Sequence, residues 1–246
     1  MTQTLLLKNA RLIATMDDHQ REIGNGYVLI RGNRIVAVGS MAELQADSPD
    51  QLQPDEIIDM TGHVVIPGLI NTHHHMFQSL TRALPAAQDA ELFDWLSALF
   101  PVWRNITPDM QRAASRTAMA ELMLSGCTTA ADHAYLHVNG ITLDDSVQAA
   151  QEMGMRFHGA RGAMSLGQSQ GGLPPDELVE ADEQAILKDM QRVIEAHHDH
   201  SPDAMVRVAL APCSPFTVTT DLMREAATLA RSYKVGLHTH TAENWK

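Results

Sequence analysis

Two short histidine clusters are the parts of this sequence best equipped for chemistry. The first is His73-His74-His75, which follows Val64-Val65-Ile66, a Pro67-Gly68 turn and Leu69-Ile70-Asn71-Thr72. Short apolar and β-branched runs bounded by turn residues predict a strand. Alternate side chains of a strand share a face, so His73 and His75 point one way and His74 the other. Neutral imidazole nitrogen suits zinc or iron, and two such rings at a strand end make half of a metal site. The second cluster is His238-Thr239-His240-Thr241-Ala242-Glu243. His238 and His240 again share a face. Glu243 follows just past the strand end, where its carboxyl can reach a substrate bound to a metal held by His240. Each cluster taken alone also fits a chance run in a polar loop, or a buried and satisfied histidine pair. Two clusters on parallel strands favour one shared metal.

The elements that must position these residues alternate from residue 64 onward. Strands are predicted at Cys127 to His133, Met155 to Arg161, Met205 to Pro212 and Val235 to His240, after the one that leads into His73. Between them lie helical patterns: Glu91 to Arg104, which Pro101 should end or kink; Thr107 to Leu124; Asp144 to Met153; Glu183 to His198; and Asp221 to Tyr233. Thr107 can cap its helix, Pro108 fits the first helical position, and Gly126 supplies a left-handed stop. A long loop rich in Gly, Gln and Pro runs from Ser165 to Pro175. Strand–helix alternation predicts a parallel sheet. The strand ends carry the unusual polar residues: His73, His75, Asp132, His133, Arg161, Cys213 and His240. That placement fits the C-terminal face of a (β/α)8 barrel, where active sites of that fold sit. A doubly wound open sheet usually shows a Gly-rich phosphate loop after its first strand, and none is present. The expected fold is therefore α/β: a TIM-like barrel of which about the first five βα units are present, spanning 63–246. Residues 1–62 read as a small β domain with a hairpin around Gly32-Asn33.

Composition narrows the partners. The chain has 246 residues, 44% of them hydrophobic, and a net charge of -12. That is enough apolar material for a core, and the acidic balance disfavours nucleic acid or an anionic membrane surface. No apolar run approaches the ~18 residues of a membrane span. The N-terminus lacks the basic start and apolar run of a signal peptide. Cys127 and Cys213 make no disulfide framework. A cytoplasmic protein is the expectation.

Three stretches together resemble the amidohydrolase superfamily. They are Pro67-Gly68-Leu69-Ile70-Asn71-Thr72-His73-His74-His75 with Gln78, then Ser125-Gly126-Cys127-Thr128-Thr129, then His238-Thr239-His240-Thr241-Ala242-Glu243. The resemblance covers the whole chain and is closest to the branch that deaminates purines, pterins and triazines. Leu84 to Asp89, Gly167 to Asp176 and Ala211 to Phe216 suggest the 8-oxoguanine deaminases within it. The resemblance implies the (β/α)8 fold of the amidohydrolase type and one divalent metal, zinc or iron, on His73, His75 and His240. It implies hydrolytic deamination of an oxidised purine, 8-oxoguanine to urate plus ammonia, with Glu243 protonating the adjacent ring nitrogen. Gln78 and Arg161, at strand ends, are candidates for hydrogen bonding a small purine-like substrate. Alternatives within the branch are a triazine or pterin aminohydrolase or chlorohydrolase. From another class, the alternative is a metal-binding fragment without turnover. A homo-oligomer is expected of the full-length form.

The sequence departs from the family at its end. The family places a histidine on the sixth strand and an aspartate on the eighth, and this chain stops after the fifth. The expectation is a truncated chain with little deaminase activity and an apolar sheet edge left exposed.

Overall fold

The computed structural model describes residues 3–47 and 53–241. It divides the chain into two units, Met1–Gly68 and Leu69–Lys246. In the first, β1 (Thr4–Ala14) pairs antiparallel with β2 (Glu22–Arg31), which turns back into β3 (Arg34–Ser40) and a short α1 (Met41–Asp47). On its other side β1 takes two short parallel partners, β4 (Glu56–Asp59) and β5 (Val64–Val65). Val64 and Val65 thus lie opposite Leu12 and Ile13 in this sheet. They do not begin the strand that leads to His73. Leu6, Tyr27 and Leu29 fill one face of the sheet, and Ala10, Ile13 and Val28 the other.

The second unit follows the strand–helix alternation. Its strands are β6 (Leu69–Asn71), β7 (Cys127–Ala134), β8 (Arg156–Ala163), β9 (Val206–Pro212) and β10 (Gly236–Leu237), hydrogen-bonded in chain order. Every pairing is parallel. The connections carry α2 (Leu92–Trp103), α3 (Pro108–Leu124), α4 (Leu143–Met153), α5 (Glu183–His197) and α6 (Thr220–Tyr233). Local chemistry sets the helix ends. Thr107 accepts from the Met110 N–H, Asp182 caps α5, and Thr219 caps α6. Gly126, at φ 88°, turns the chain from α3 into β7. Pro101 does not end α2 at its own position; it sits in the last turn, and the helix continues to Trp103.

Strand pleating sorts side chains between two environments. On β8, Phe157 and Ala163 face the helical layer and join the main core with Leu143, Ile186, Met190 and Val193. Ala160 faces the opposite side, where it packs with Ala209 and Ala211. Laid flat, the first and fifth strands of a parallel sheet stand about 19 Å apart, four spacings of roughly 4.8 Å. Here a histidine following β6 touches one following β10, at 3.1 Å. The sheet is therefore strongly curled, as five neighbouring strands of a (β/α)8 barrel are. Both strands at its edges are short, and Leu69, Ile70 and Leu237 are exposed. Among the described residues no helix is long and apolar enough to cross a membrane.

Candidate metal centre

Each histidine of the site is placed by backbone bonds at the C-terminal end of a strand. Past β6 the chain leaves the sheet, and β7 grips it there. The His133 N–H donates to the His74 carbonyl at 2.7 Å. Asp132 accepts from the Met76 N–H at 2.8 Å. Asp132 is fully buried, and burial pushes its carboxyl up to about 7. At the other edge, the His238 N–H donates to the Leu210 carbonyl and the His240 N–H to the Cys213 carbonyl, at 2.8 and 2.9 Å. These bonds extend the β10 direction beyond its two ladder residues and carry His240 over the sheet end.

Three ring nitrogens meet at one point. The Nε2 atoms of His73 and His75 are 3.2 Å apart, those of His75 and His240 3.2 Å, and those of His240 and His73 3.3 Å. The opposite nitrogens of two of these rings fix their tautomers. His75 Nδ1 lies 2.8 Å from the His133 carbonyl and His240 Nδ1 lies 2.8 Å from the Cys213 carbonyl. A carbonyl only accepts, so both Nδ1 atoms carry hydrogen and both Nε2 atoms present lone pairs. Two lone pairs held face to face repel each other, and a cation between them removes the repulsion. A point equidistant from the three nitrogens lies about 1.9 Å from each (the side divided by √3), close to the roughly 2.0–2.1 Å of a zinc–imidazole bond. Backbone carbonyls behind ligating imidazoles are the usual outer support of zinc sites. The donor set fits a divalent cation that accepts imidazole.

The rings are also kept ready to bind. Burial holds His75 down to about 3 and lowers His73 as well, with repulsion from His240 and His238 adding to the latter. Neutral imidazole is the ligating form, and burial favours that form at His75 and His73. His133 is a fourth ring of the cluster, 1% exposed and stacked on His240 with centroids 4.5 Å apart. Neither of its ring nitrogens has a partner among the described residues.

A cavity of about 380 Å³ opens in front of the three nitrogens. His73, His75 and His240 form its polar end, and Trp95, Phe100, Tyr135, Met164, Leu173 and Phe216 its apolar walls. Gln78 projects into it and donates from Nε2 to the Tyr135 hydroxyl at 3.1 Å. That bond leaves the Gln78 carbonyl oxygen for another partner. A volume of this size with mostly aromatic walls and few polar groups suits a small planar ligand.

The structure thus brings together His73, His75, His240 and Gln78. Glu243 lies outside the described residues. Arg161 is placed elsewhere and does not line the cavity. Its guanidinium is 2% exposed and bonded to Glu180, to Asp189 of α5 and to the Gly162 carbonyl. The cause is pleat parity: Arg161 shares the helix-facing side of β8 with Phe157 and Ala163, so its position near a strand end does not turn it inward. Two further residues stand at the site: His133, named from the sequence as a polar strand-end residue without a role, and Tyr135, which was not named. For His133 the signal was available, because it follows Ala131 on the inward parity of β7.

Gly162 sets the position of Tyr135. A Cβ at position 162 would stand 2.6 Å from the Ala134 carbonyl oxygen and 2.6 Å from Tyr135 Cα. Main chain cannot yield as a side-chain tip can. Gly162→Ala is expected to destabilise the fold by about 1–3 kcal/mol, as overpacking does, and to displace the tyrosine wall. Urea denaturation reads this directly, and an unchanged midpoint would rule out the close approach.

Residues 64–246 match the amidohydrolase family, and residues 28–50 match the imidazolonepropionase-like composite domain of bacteria. The chain is 47% identical over 215 residues to an 8-oxoguanine deaminase of Pseudomonas aeruginosa, covering 86% of this chain and 48% of that protein. It is 34% identical over 253 residues to an isoxanthopterin deaminase from an unknown prokaryotic organism, covering 97% of this chain and 50% of that protein. Among solved structures, an atrazine chlorohydrolase from Arthrobacter aurescens complexed with zinc superposes with a TM-score of 0.86 at 32% identity. That likeness covers 96% of this chain and 52% of the other. The chain spans about half the length of the relatives it matches.

Proposed function

The chain belongs to the amidohydrolase family, and from that premise we propose that it supplies the metal centre and substrate pocket of a zinc-dependent aminohydrolase acting on an oxidised purine, 8-oxoguanine. The observation that carries this reading is the convergence of three imidazole nitrogens, two of them with tautomers set by backbone carbonyls. His73, His75 and His240 would hold one divalent cation, and the zinc in the chlorohydrolase structure favours zinc over iron. Such an ion supplies Lewis-acid activation of water near neutral pH.

The chain's own residues supply part of the remaining chemistry. Trp95, Phe100 and Tyr135 offer aromatic surface for a flat bicyclic ring. Gln78, oriented by Tyr135, turns its carbonyl oxygen to a ring N–H of the purine. Glu243, three residues past His240, would hold the proton delivered to the ring nitrogen beside the departing amine. Water adds its oxygen to the ring carbon that bears the amine, and the C–N bond then breaks with loss of ammonia, so 8-oxoguanine and water give urate and ammonia. The identity to an 8-oxoguanine deaminase favours the purine over the pterin and triazine readings.

The assay compares three substrates on the zinc-loaded protein: ammonia release from 8-oxoguanine and from isoxanthopterin, and chloride release from a chlorotriazine. The highest kcat/KM is expected for 8-oxoguanine, and a clear preference for either of the others sinks the purine assignment. Gln78→Leu should lower kcat/KM for 8-oxoguanine about 10- to 100-fold, the worth of one buried hydrogen bond. Equal losses on all three substrates would show that Gln78 does not select the ring.

A further inference from the structure

We propose that His238 is a positioning residue, whose Nε2 accepts the Nδ1–H of His73 and so keeps the His73 Nε2 lone pair aimed at the cation. This inference rests on the metal reading above. The three ligating rings are not supported alike. Behind His75 and His240 stand backbone carbonyls, which only accept and which therefore fix the tautomer. Behind His73 stands another imidazole: His73 Nδ1 lies 3.1 Å from His238 Nε2. An imidazole nitrogen can donate or accept, so the main chain leaves the His73 tautomer open.

The wrong choice would close the site. With hydrogen on Nε2, His73 could donate to the lone pair of His75 at 3.2 Å or of His240 at 3.3 Å. That arrangement satisfies the rings without a cation and competes with binding. With His238 Nε2 as acceptor, hydrogen moves to His73 Nδ1 and three lone pairs face one point. The backbone bond from His238 N–H to the Leu210 carbonyl fixes where that acceptor stands. The ring centroids of His73 and His238 lie 5.0 Å apart and those of His238 and His133 4.9 Å apart. His73, His133 and His238 could also be read as a second cation site, since their ligand atoms lie within 4.8 Å of one another. With His73 Nε2 already committed, a second cation on its Nδ1 would strip the ring of both hydrogens. The acceptor role leaves His73 neutral, and the geometry favours it.

The test uses two substitutions of similar size. Glutamine places a carbonyl oxygen near the position of Nε2, and phenylalanine keeps the ring shape without an acceptor. Cobalt(II) affinity is measured by chelator competition at about pH 8, where free imidazole is neutral, on variants whose circular dichroism and thermal midpoint match the unsubstituted protein. His238→Phe should weaken binding about 10- to 100-fold, the usual effect of losing an outer-shell partner, and His238→Gln only about threefold. Long-range proton–nitrogen NMR of the metal-free protein gives a readout that needs no cation. His73 should appear as the Nδ1–H form with His238 or glutamine present, and shift toward Nε2–H in His238→Phe. Undiminished affinity in His238→Phe, equal losses in both variants, or an unmoved tautomer each overturns the proposal. An unsubstituted protein that takes up no cobalt overturns the metal reading instead, and the tautomer measurement still tests the His73–His238 bond.

Discussion

His75→Ala is expected to weaken zinc binding by about two orders of magnitude or more, while His74→Ala, one residue away, changes it only a few-fold. Structural zinc sites gain about 10–16 kcal/mol from four ligands, so one ligand is worth roughly 3 kcal/mol, somewhat over a hundredfold. His75 stands at the high end, because both of its nitrogens are committed. Nε2 faces the other two ligands at 3.2 Å, and Nδ1 is tied to the His133 carbonyl at 2.8 Å. Its ring also packs edge-on against Tyr135 at 4.9 Å, so alanine opens the cavity wall as well. His74 is the control that gives the comparison its force. A histidine-rich stretch that binds zinc loosely would lose affinity similarly at either position. Isothermal titration with a competing chelator separates the two outcomes. Equal losses at 74 and 75 would mean that the cluster binds as a polar tract and that no site is assembled.

The contrast between positions 74 and 75 was read from the two-residue period of a strand, and the rings do diverge in that way although β6 ends at Asn71, before the three histidines. The convergence of His73, His75 and His240 needs one thing more, which local pattern does not contain. Strands one and five approach each other across the barrel because the sheet curls, and that curl comes from the tilt and register of all five strands together. Strand order and parallel direction were readable from the alternation; curvature was readable only through the family resemblance. Parity, applied evenly, would have done more. It puts His133 inward and Arg161 toward the helices, yet both were weighed by their nearness to a strand end. Other differences have local causes. Val64 and Val65 satisfy their backbone groups against β1, which no periodicity could reveal. Pro101 falls where the helix has few turns left to lose, so α2 tolerates it.

The parity of Arg161 has a large energetic consequence, and Arg161→Met is expected to destabilise the fold by about 3 kcal/mol. The guanidinium is 2% exposed. Nε donates to Asp189 at 2.8 Å, and the two terminal nitrogens donate to the two oxygens of Glu180 at 2.8 Å each. Removing one member of a buried ion pair costs about 3–5 kcal/mol, chiefly because the partner is left charged and poorly solvated. Here the partners are unequal. Asp189 keeps a second cation, Arg192, at 2.7 Å, while Glu180 has its charge matched by Arg161. The loss should therefore fall mainly on Glu180, and the low end of the range applies because its side chain is 27% exposed. Glu180 also closes the base of the loop over 165–179, since its N–H donates to the Met164 carbonyl at 2.9 Å. Met164 and, on that loop, Leu173 line the cavity, so a loosened Glu180 should slacken one wall of the pocket. The charge explanation is separable from lost packing. In the double variant R161M/E180Q the stranded carboxylate is gone, and about half or more of the lost stability should return. Urea denaturation of the two single variants and the double one gives the coupling as a thermodynamic cycle. Additive losses with no recovery would place the cost in packing around the arginine stem and remove Glu180 from the account.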